Sequence, residues 1–189
     1  MNPEILALDM AGAPHDWLSL KEAAHYYATG MVAWSAGVHE FTLRGGVQRA
    51  TGLRSEIRAN SIIAIAGKDY MVRNFDRPLA LNREMLFARD RYVCAYCAQK
   101  FRATLLTLDH IVPKSKGGED SWMNLVTACK ACNNRKANRT PEAAGMSLHF
   151  VPYVPNRYEA FILRGRRILA DQMEFLLQGV PKHSRLLPG

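Results

Sequence analysis

The chain has 189 residues, 48% of them hydrophobic, which suits one domain or a small domain joined to a module and leaves room for a substantial core. No apolar run approaches the ~18 residues of a membrane span, and the start, MNPEILALDMAG, has no basic segment ahead of an apolar core, so neither a span nor a signal peptide is expected and the address is cytoplasmic. The net charge of +8, from 25 Lys and Arg against 17 Asp and Glu, suits a polyanionic partner or simply a solvated surface.

In chain order, Ile5 to Leu8 is predicted as a strand, followed by a turn from Asp9 to Pro14. Ser19-Leu20-Lys21-Glu22 has capping-box spacing, and a helix continues from it through Ala28 to Gly30. Met31 to Trp34 and His39 to Gly46 read as strands, and Ser61 to Ala66 as a buried strand closed by Gly67. Trp17, Tyr26, Tyr27 and Trp34 are expected in a core rather than as a platform for stacked bases. Arg49 to Arg58 is a polar, basic stretch; Arg44, Arg49, Arg54 and Arg58 either touch a nucleic-acid backbone or face water, with water favoured. Residues 73 to 81, with Pro78, form a boundary, after which Asn82 caps a helix to Arg89.

Next come two CxxC pairs, Cys94/Cys97 and Cys129/Cys132, with 31 residues between them and no other cysteine in the chain. Each CxxC turn aims two thiolates at one point, and two turns complete a tetrahedral four-thiolate site for structural Zn2+. Disulfides within each pair would leave the turns unconnected. Between the pairs, Thr107 to Pro113 is an apolar run interrupted by Asp109 and His110, which an extended backbone points to opposite faces. Lys114 to Asp120 is a basic loop containing Gly117 and Gly118, and Ser121 to Leu125 a turn carrying Asn124. A helix is predicted from about Val126, bearing Cys129, Cys132, Asn133, Lys136 and Arg139. Residues 83 to 139 hold eleven Lys or Arg against five acids, so most of the basic excess falls here.

This stretch, CxxC, LDHIVPKSKGG, Asn124-Leu125 and CxxCN with Lys136 three residues on, resembles the HNH endonuclease family with a zinc-binding frame. The resemblance implies a ββα-metal module with one catalytic divalent ion. His110 would be the general base that activates water, and Asn124 would orient the His110 region. Asp109 and Asn133 would ligate the catalytic metal, Asn133 standing where the family has its last His or Asn. Lys114, Lys116, Arg135, Lys136 and Arg139 would serve the nucleic acid. The residue types suit that chemistry: an imidazole titrating near neutral pH prepares water, and Asp and Asn oxygens suit Mg2+ or Mn2+.

Thr140 to Gly145 reads as one helical turn, Phe150 to Pro155 as extended, and Tyr158 to Gln178 as an amphipathic helix carrying Arg164, Arg166 and Arg167, for which core packing is preferred over nucleic acid or a dimer contact. The tail after Gly179 is expected to be loose. The fold class is α+β, with three parts: 1–80, an α/β region like that preceding HNH modules in bacterial proteins; 81–150, the zinc-stapled module; and 151–189, a C-terminal extension with its helix. The expected function is metal-dependent hydrolysis of phosphodiesters in DNA, with a zinc-stabilised nucleic-acid-binding module that does not cleave as the alternative. Oligomeric state and sequence preference are left open.

Overall fold

The computed structural model describes residues 3–67, 79–182 and 184–187. These form a mixed α+β arrangement with strands β1 (Ile5–Leu8), β2 (Pro14–Leu18), β3 (Val32–Val47), β4 (Arg54–Ile65), β5 (Leu106–His110) and β6 (Leu125–Cys129). The helices are α1 (Leu20–Ala28), α2 (Arg83–Arg89), α3 (Lys130–Lys136), α4 (Arg157–Arg164) and α5 (Ala170–Leu177). The chain divides into two compact units, Met1–Pro78 with Arg157–Val180 and Leu79–Asn156 with Pro181–Gly189. The boundary expected at 73–81 falls, through Pro78, outside the described residues. No helix among the described residues is long and apolar enough to cross a membrane.

The first unit is a four-stranded sheet of order β2-β1-β4-β3, with β1 parallel to β4 and the other neighbours antiparallel. Alternate residues of the central strands serve opposite faces. Ile5, Ala7, Ile63 and Ile65 pack with Ala23 of α1, whereas Leu6, Leu8, Ile62 and Ala64 pack with Phe161 of α4 and Leu176 of α5. Burial on both faces explains why ILAL and SIIAI read as unbroken apolar runs. The Ser19 capping box forms with both arms, Glu22 N–H donating to Ser19 Oγ at 3.3 Å and Ser19 N–H to Glu22 Oε2 at 2.8 Å.

The turn expected from Asp9 to Pro14 forms, with Asp9 N–H donating to the Ala13 carbonyl at 2.9 Å and Gly12 N–H to the Asp9 carbonyl at 3.1 Å, and Pro14 opens β2, which pairs with β1. Three other local readings are corrected. The two strands read at 31–34 and 39–46 are one, β3, and its partner β4 begins at Arg54, inside the stretch read as merely polar. β3 is interrupted by a bulge: Ala36 faces Ile62 but Glu40 faces Asn60. There Gly37 takes φ +92°, and the N–H groups of Val38 and His39 donate to Asp171 Oδ2 at 2.8 and 3.1 Å. Finally, the helix read over Tyr158–Gln178 is two, α4 and α5. At Gly165 between them, an added Cβ would lie 2.5 Å from Ile168 Cγ1, so the chain can turn tightly there only without a side chain.

In the second unit β5 and β6 pair antiparallel from Leu106–Cys129 to His110–Leu125. The helix expected from Val126 starts at Lys130 instead, because Leu125 to Cys129 is a strand buried on both faces and has no alternation to betray it. Beneath lies Arg89, fully buried, whose Nε and Nη2 bind Asp90 at 2.8 and 3.2 Å. Its Nη1 donates to the carbonyls of Trp122 and Tyr153 at 2.6 and 3.0 Å, and Nη2 also to Leu125 at 2.9 Å, so all five donors are used. Asp90 in turn accepts from Thr127 N–H at 2.8 Å, which ties α2 to β6. The tail is not loose at Arg185, whose guanidinium lies 3.5 Å from the Phe150 ring centre.

Candidate functional site

The four cysteine Sγ atoms lie within 4.8 Å of one another, and all four residues are free thiols. A tetrahedron with Zn–S bonds of about 2.3 Å has sulfur–sulfur edges of roughly 3.8 Å, so the cluster fits a four-cysteine zinc site after a small contraction. The backbone prepares each pair: Tyr96 N–H points at Cys94 Sγ and Cys132 N–H at Cys129 Sγ, both at 3.4 Å. The first turn is closed by a bridge between Val93 and Lys100, with Ala98 at φ +55°. Burial opposes ionisation of Cys94, but backbone N–H groups outweigh it and pull that thiol down. Burial, then the neighbouring Cys129 and Cys94, push Cys132 up, so one thiolate hinders the next until a cation offsets them.

The same elements carry the polar set. Along β5, Thr107 and Asp109 share one face, and α3 lies on it: Asn133 Nδ2 donates to Thr107 Oγ1 at 2.9 Å, and Lys136 Nζ to Asp109 Oδ1 at 3.0 Å. Two residues along the strand thus match three along the helix. Asp109 is 5% exposed, and its Oδ2 accepts from the Tyr96 hydroxyl. Burial first, and then that bond to a carboxylate, raise the Tyr96 phenol well above its usual range, so it stays a donor.

His110 follows, its side chain 24% exposed, with Nε2 2.6 Å from Asp120 Oδ1. The other oxygen of Asp120 accepts from Lys114 Nζ at 2.7 Å; hydrogen bonds from Lys114 and then His110 hold this carboxyl below the ordinary range. Asn124 ties the loop: Oδ1 accepts from Val112 N–H at 2.9 Å, while Nδ2 donates to the carbonyls of Val112 and Glu119 at 3.1 and 2.9 Å. A Cβ on Gly118 would overlap the Val112 carbonyl, so the loop closes this tightly only with glycine there.

The structure brings the side chains of Asp109, Asn133 and Lys136 together at β5 and α3; His110 joins them through its backbone carbonyl, which accepts from Lys136, while its ring binds Asp120, and Asn124 secures the chain two residues beyond it. The five basic residues expected to serve nucleic acid are placed differently from one another. Lys116 and Arg135 are exposed, and Lys114 is exposed but bound to Asp120. Arg139 folds onto its own helix end, donating to the Lys136 and Arg135 carbonyls at 3.2 and 2.6 Å. Lys136 is only 1% exposed, its ammonium enclosed by Asp109 and the His110 carbonyl at 2.6 Å, away from any surface phosphate. Tyr96, Thr107 and Asp120 were missed from sequence. The one available signal was Tyr96's place inside the first CxxC; Thr107 and Asp120 depend on pairing and loop closure.

Residues 94–149 match the HNH endonuclease family. Over 67 residues, 32% of this chain, the sequence is 37% identical to the CRISPR-associated endonuclease Cas9 of Campylobacter jejuni, of which it covers 7%. Among solved structures, the Type II-C Cas9 enzyme from Actinomyces naeslundii is 26% identical, with 56% of this chain and 11% of that one covered, at a TM-score of 0.29. The chain thus corresponds to a small part of either relative's length. With the match lying on the thiol cluster, strand pair and helix described above, residues 94–149 are an HNH endonuclease domain.

Proposed function

We propose that the protein is a metal-dependent endonuclease hydrolysing phosphodiester bonds in DNA, with His110 as the base that deprotonates water. The observation that carries this reading is the shared face of β5 and α3, which sets Asp109 and Asn133 on the same side of the strand that ends in His110. Two lone-pair sites of Asp109 are used by Lys136 and Tyr96, out of roughly four that a carboxylate offers. Asn133 spends its amide nitrogen on Thr107, which leaves its carbonyl oxygen as the metal-side donor. These hard oxygens fit one Mg2+ or Mn2+, which when bound would neutralise the scissile phosphate and stabilise the leaving oxygen. Asp120 fixes the His110 ring through Nε2, leaving Nδ1 for the proton of water, and Asn124 holds the following loop. Zn2+ at the four cysteines is structural, and a reducing, cytoplasmic setting suits its thiolates.

The competing reading, a zinc-stabilised binding module that does not cleave, is favoured by the engagement of Asp109 and His110 Nε2 by protein groups. Incubating supercoiled plasmid with the protein and Mg2+ or Mn2+ separates the two. Nicking that disappears in His110→Ala supports the endonuclease; salt-sensitive binding without cleavage under any metal supports the module.

A further inference from the structure

The outer part of the β3–β4 hairpin lies outside the HNH domain. β1 joins β4 only along Ile62–Ala64, so the pairs from Phe41–Ala59 outward to Val47–Arg54 form a two-stranded ribbon, roughly 20 Å long at ~3.4 Å per residue. Phe41 and Leu43 at its root pack toward the α1 core, but every residue from Arg44 to Arg54 is exposed. That stretch contains three arginines, Arg44, Arg49 and Arg54, and no acidic residue, a local charge of +3. Arg44 is held only by an exposed pair with Glu56 at 3.2 Å, which a phosphate can replace at small cost. Arg54 is laid along the ribbon by its Nε bond to the Gly45 carbonyl at 3.0 Å. At the tip, where Gln48 N–H donates to the Leu53 carbonyl at 2.8 Å, Val47 and Leu53 stand 63% and 68% exposed.

We infer that this ribbon is a duplex-DNA-binding arm, its arginines on phosphates and its aliphatic tip in a groove. A ribbon whose outer end is cationic, with Glu56 its one acid against Arg44, Arg49, Arg54 and Arg58, suits a polyanion, and the B-form major groove, about 12 Å wide, admits a two-stranded ribbon. The deep, narrow major groove of an RNA duplex does not. Exposed aliphatic side chains among arginines gain contacts against thymine methyls or an opened base step that water does not offer.

The arm is tested separately from cleavage. Full-length His110→Ala protein is titrated onto a labelled DNA duplex of ~30 bp, without added divalent ion, from ~50 to ~200 mM salt. Replacing Arg44, Arg49 and Arg54 together by Ala is expected to weaken binding about tenfold or more and to reduce the salt slope by about 2 to 3. Val47→Ser with Leu53→Ser is expected to weaken it severalfold with the slope unchanged. Arg49→Glu alone, in the turn and outside the strand pairing, gives the same direction and decides the matter if the triple variant melts early. Unchanged affinity and slope in the arginine variants, or an equal loss on duplex RNA of the same sequence, overturns the inference.

Discussion

Lys136 donates from Nζ to Asp109 Oδ1 at 3.0 Å, with both side chains shut away from solvent. A buried pair is weak evidence of net stabilisation, but removing one partner leaves the other uncompensated and costs about 3–5 kcal/mol. Lys136→Met is therefore expected to destabilise the HNH domain on that scale, and adding Asp109→Asn to recover much of the loss. Urea unfolding of the parent, both single variants and the double variant measures the coupling; strictly additive losses would remove the pair from the account.

Zinc occupancy and folding are expected to fall together. Cys129 is both a member of the thiol cluster and the N-cap of α3; serine can still cap the helix, so Cys129→Ser isolates the metal tie, whose loss loosens the helix that carries Asn133 and Lys136. Metal analysis should find the zinc content well below one per chain, with an earlier melting transition. A variant with full zinc and unchanged melting contradicts the assignment.

Asn124 and Gly118 hold the loop that follows His110, so under the proposed mechanism changes at either are expected to act by moving His110. Asn124→Ala removes the side-chain bonds to Val112 and Glu119, and Gly118→Ala drives a Cβ into the Val112 carbonyl. Displacing His110 by an ångström is enough for a loss of about a hundredfold in plasmid nicking, with zinc retained. Wild-type rates in both variants would show that the loop does not set the position of His110.

Asp171 makes the first unit acid-sensitive. Burial opposes its ionisation, but hydrogen bonds from Ser61 and from the His39 backbone and ring, then Gln172, outweigh it and hold the carboxyl far below its usual value. A depressed folded-state pKa contributes stability that is fully present above the unfolded value, near 4, and is lost as pH falls toward the folded value. Thermal melts from pH 7 downward should thus show a steep loss below about pH 4 in the parent and a shallower one in Asp171→Asn, which should also melt earlier at pH 7. Parallel acid limbs would disprove it.

The thiol frame was legible because four thiolates around one ion need cysteines at a fixed spacing, and the HNH match over residues 94–149 because its motif is local in sequence. β6 was not, since a strand buried on both faces shows no period, and LVTAC fits a helix equally well. The burial of Lys136 was also beyond the sequence: a lysine three residues past Asn133 looks like a surface cation until the strand opposite supplies a carboxylate and a carbonyl. Asp171 and the β3 bulge meet across 133 positions of sequence, farther than any local pattern reaches. The fully used donors of Arg89 were hidden for the same reason, their acceptors coming from Asp90, Trp122, Leu125 and Tyr153.

Because the first unit is assembled from Met1–Pro78 and Arg157–Val180, its sheet is complete on one side before the nuclease domain is synthesised and bare on the other until afterwards. Leu6, Leu8, Ile62 and Ala64 wait for Phe161 and Leu176, which leave the ribosome about a hundred residues later than β4. Throughout that interval an aliphatic surface is open to chaperones or to a second nascent chain. A premature stop shortly after residue 156 would make that exposure permanent.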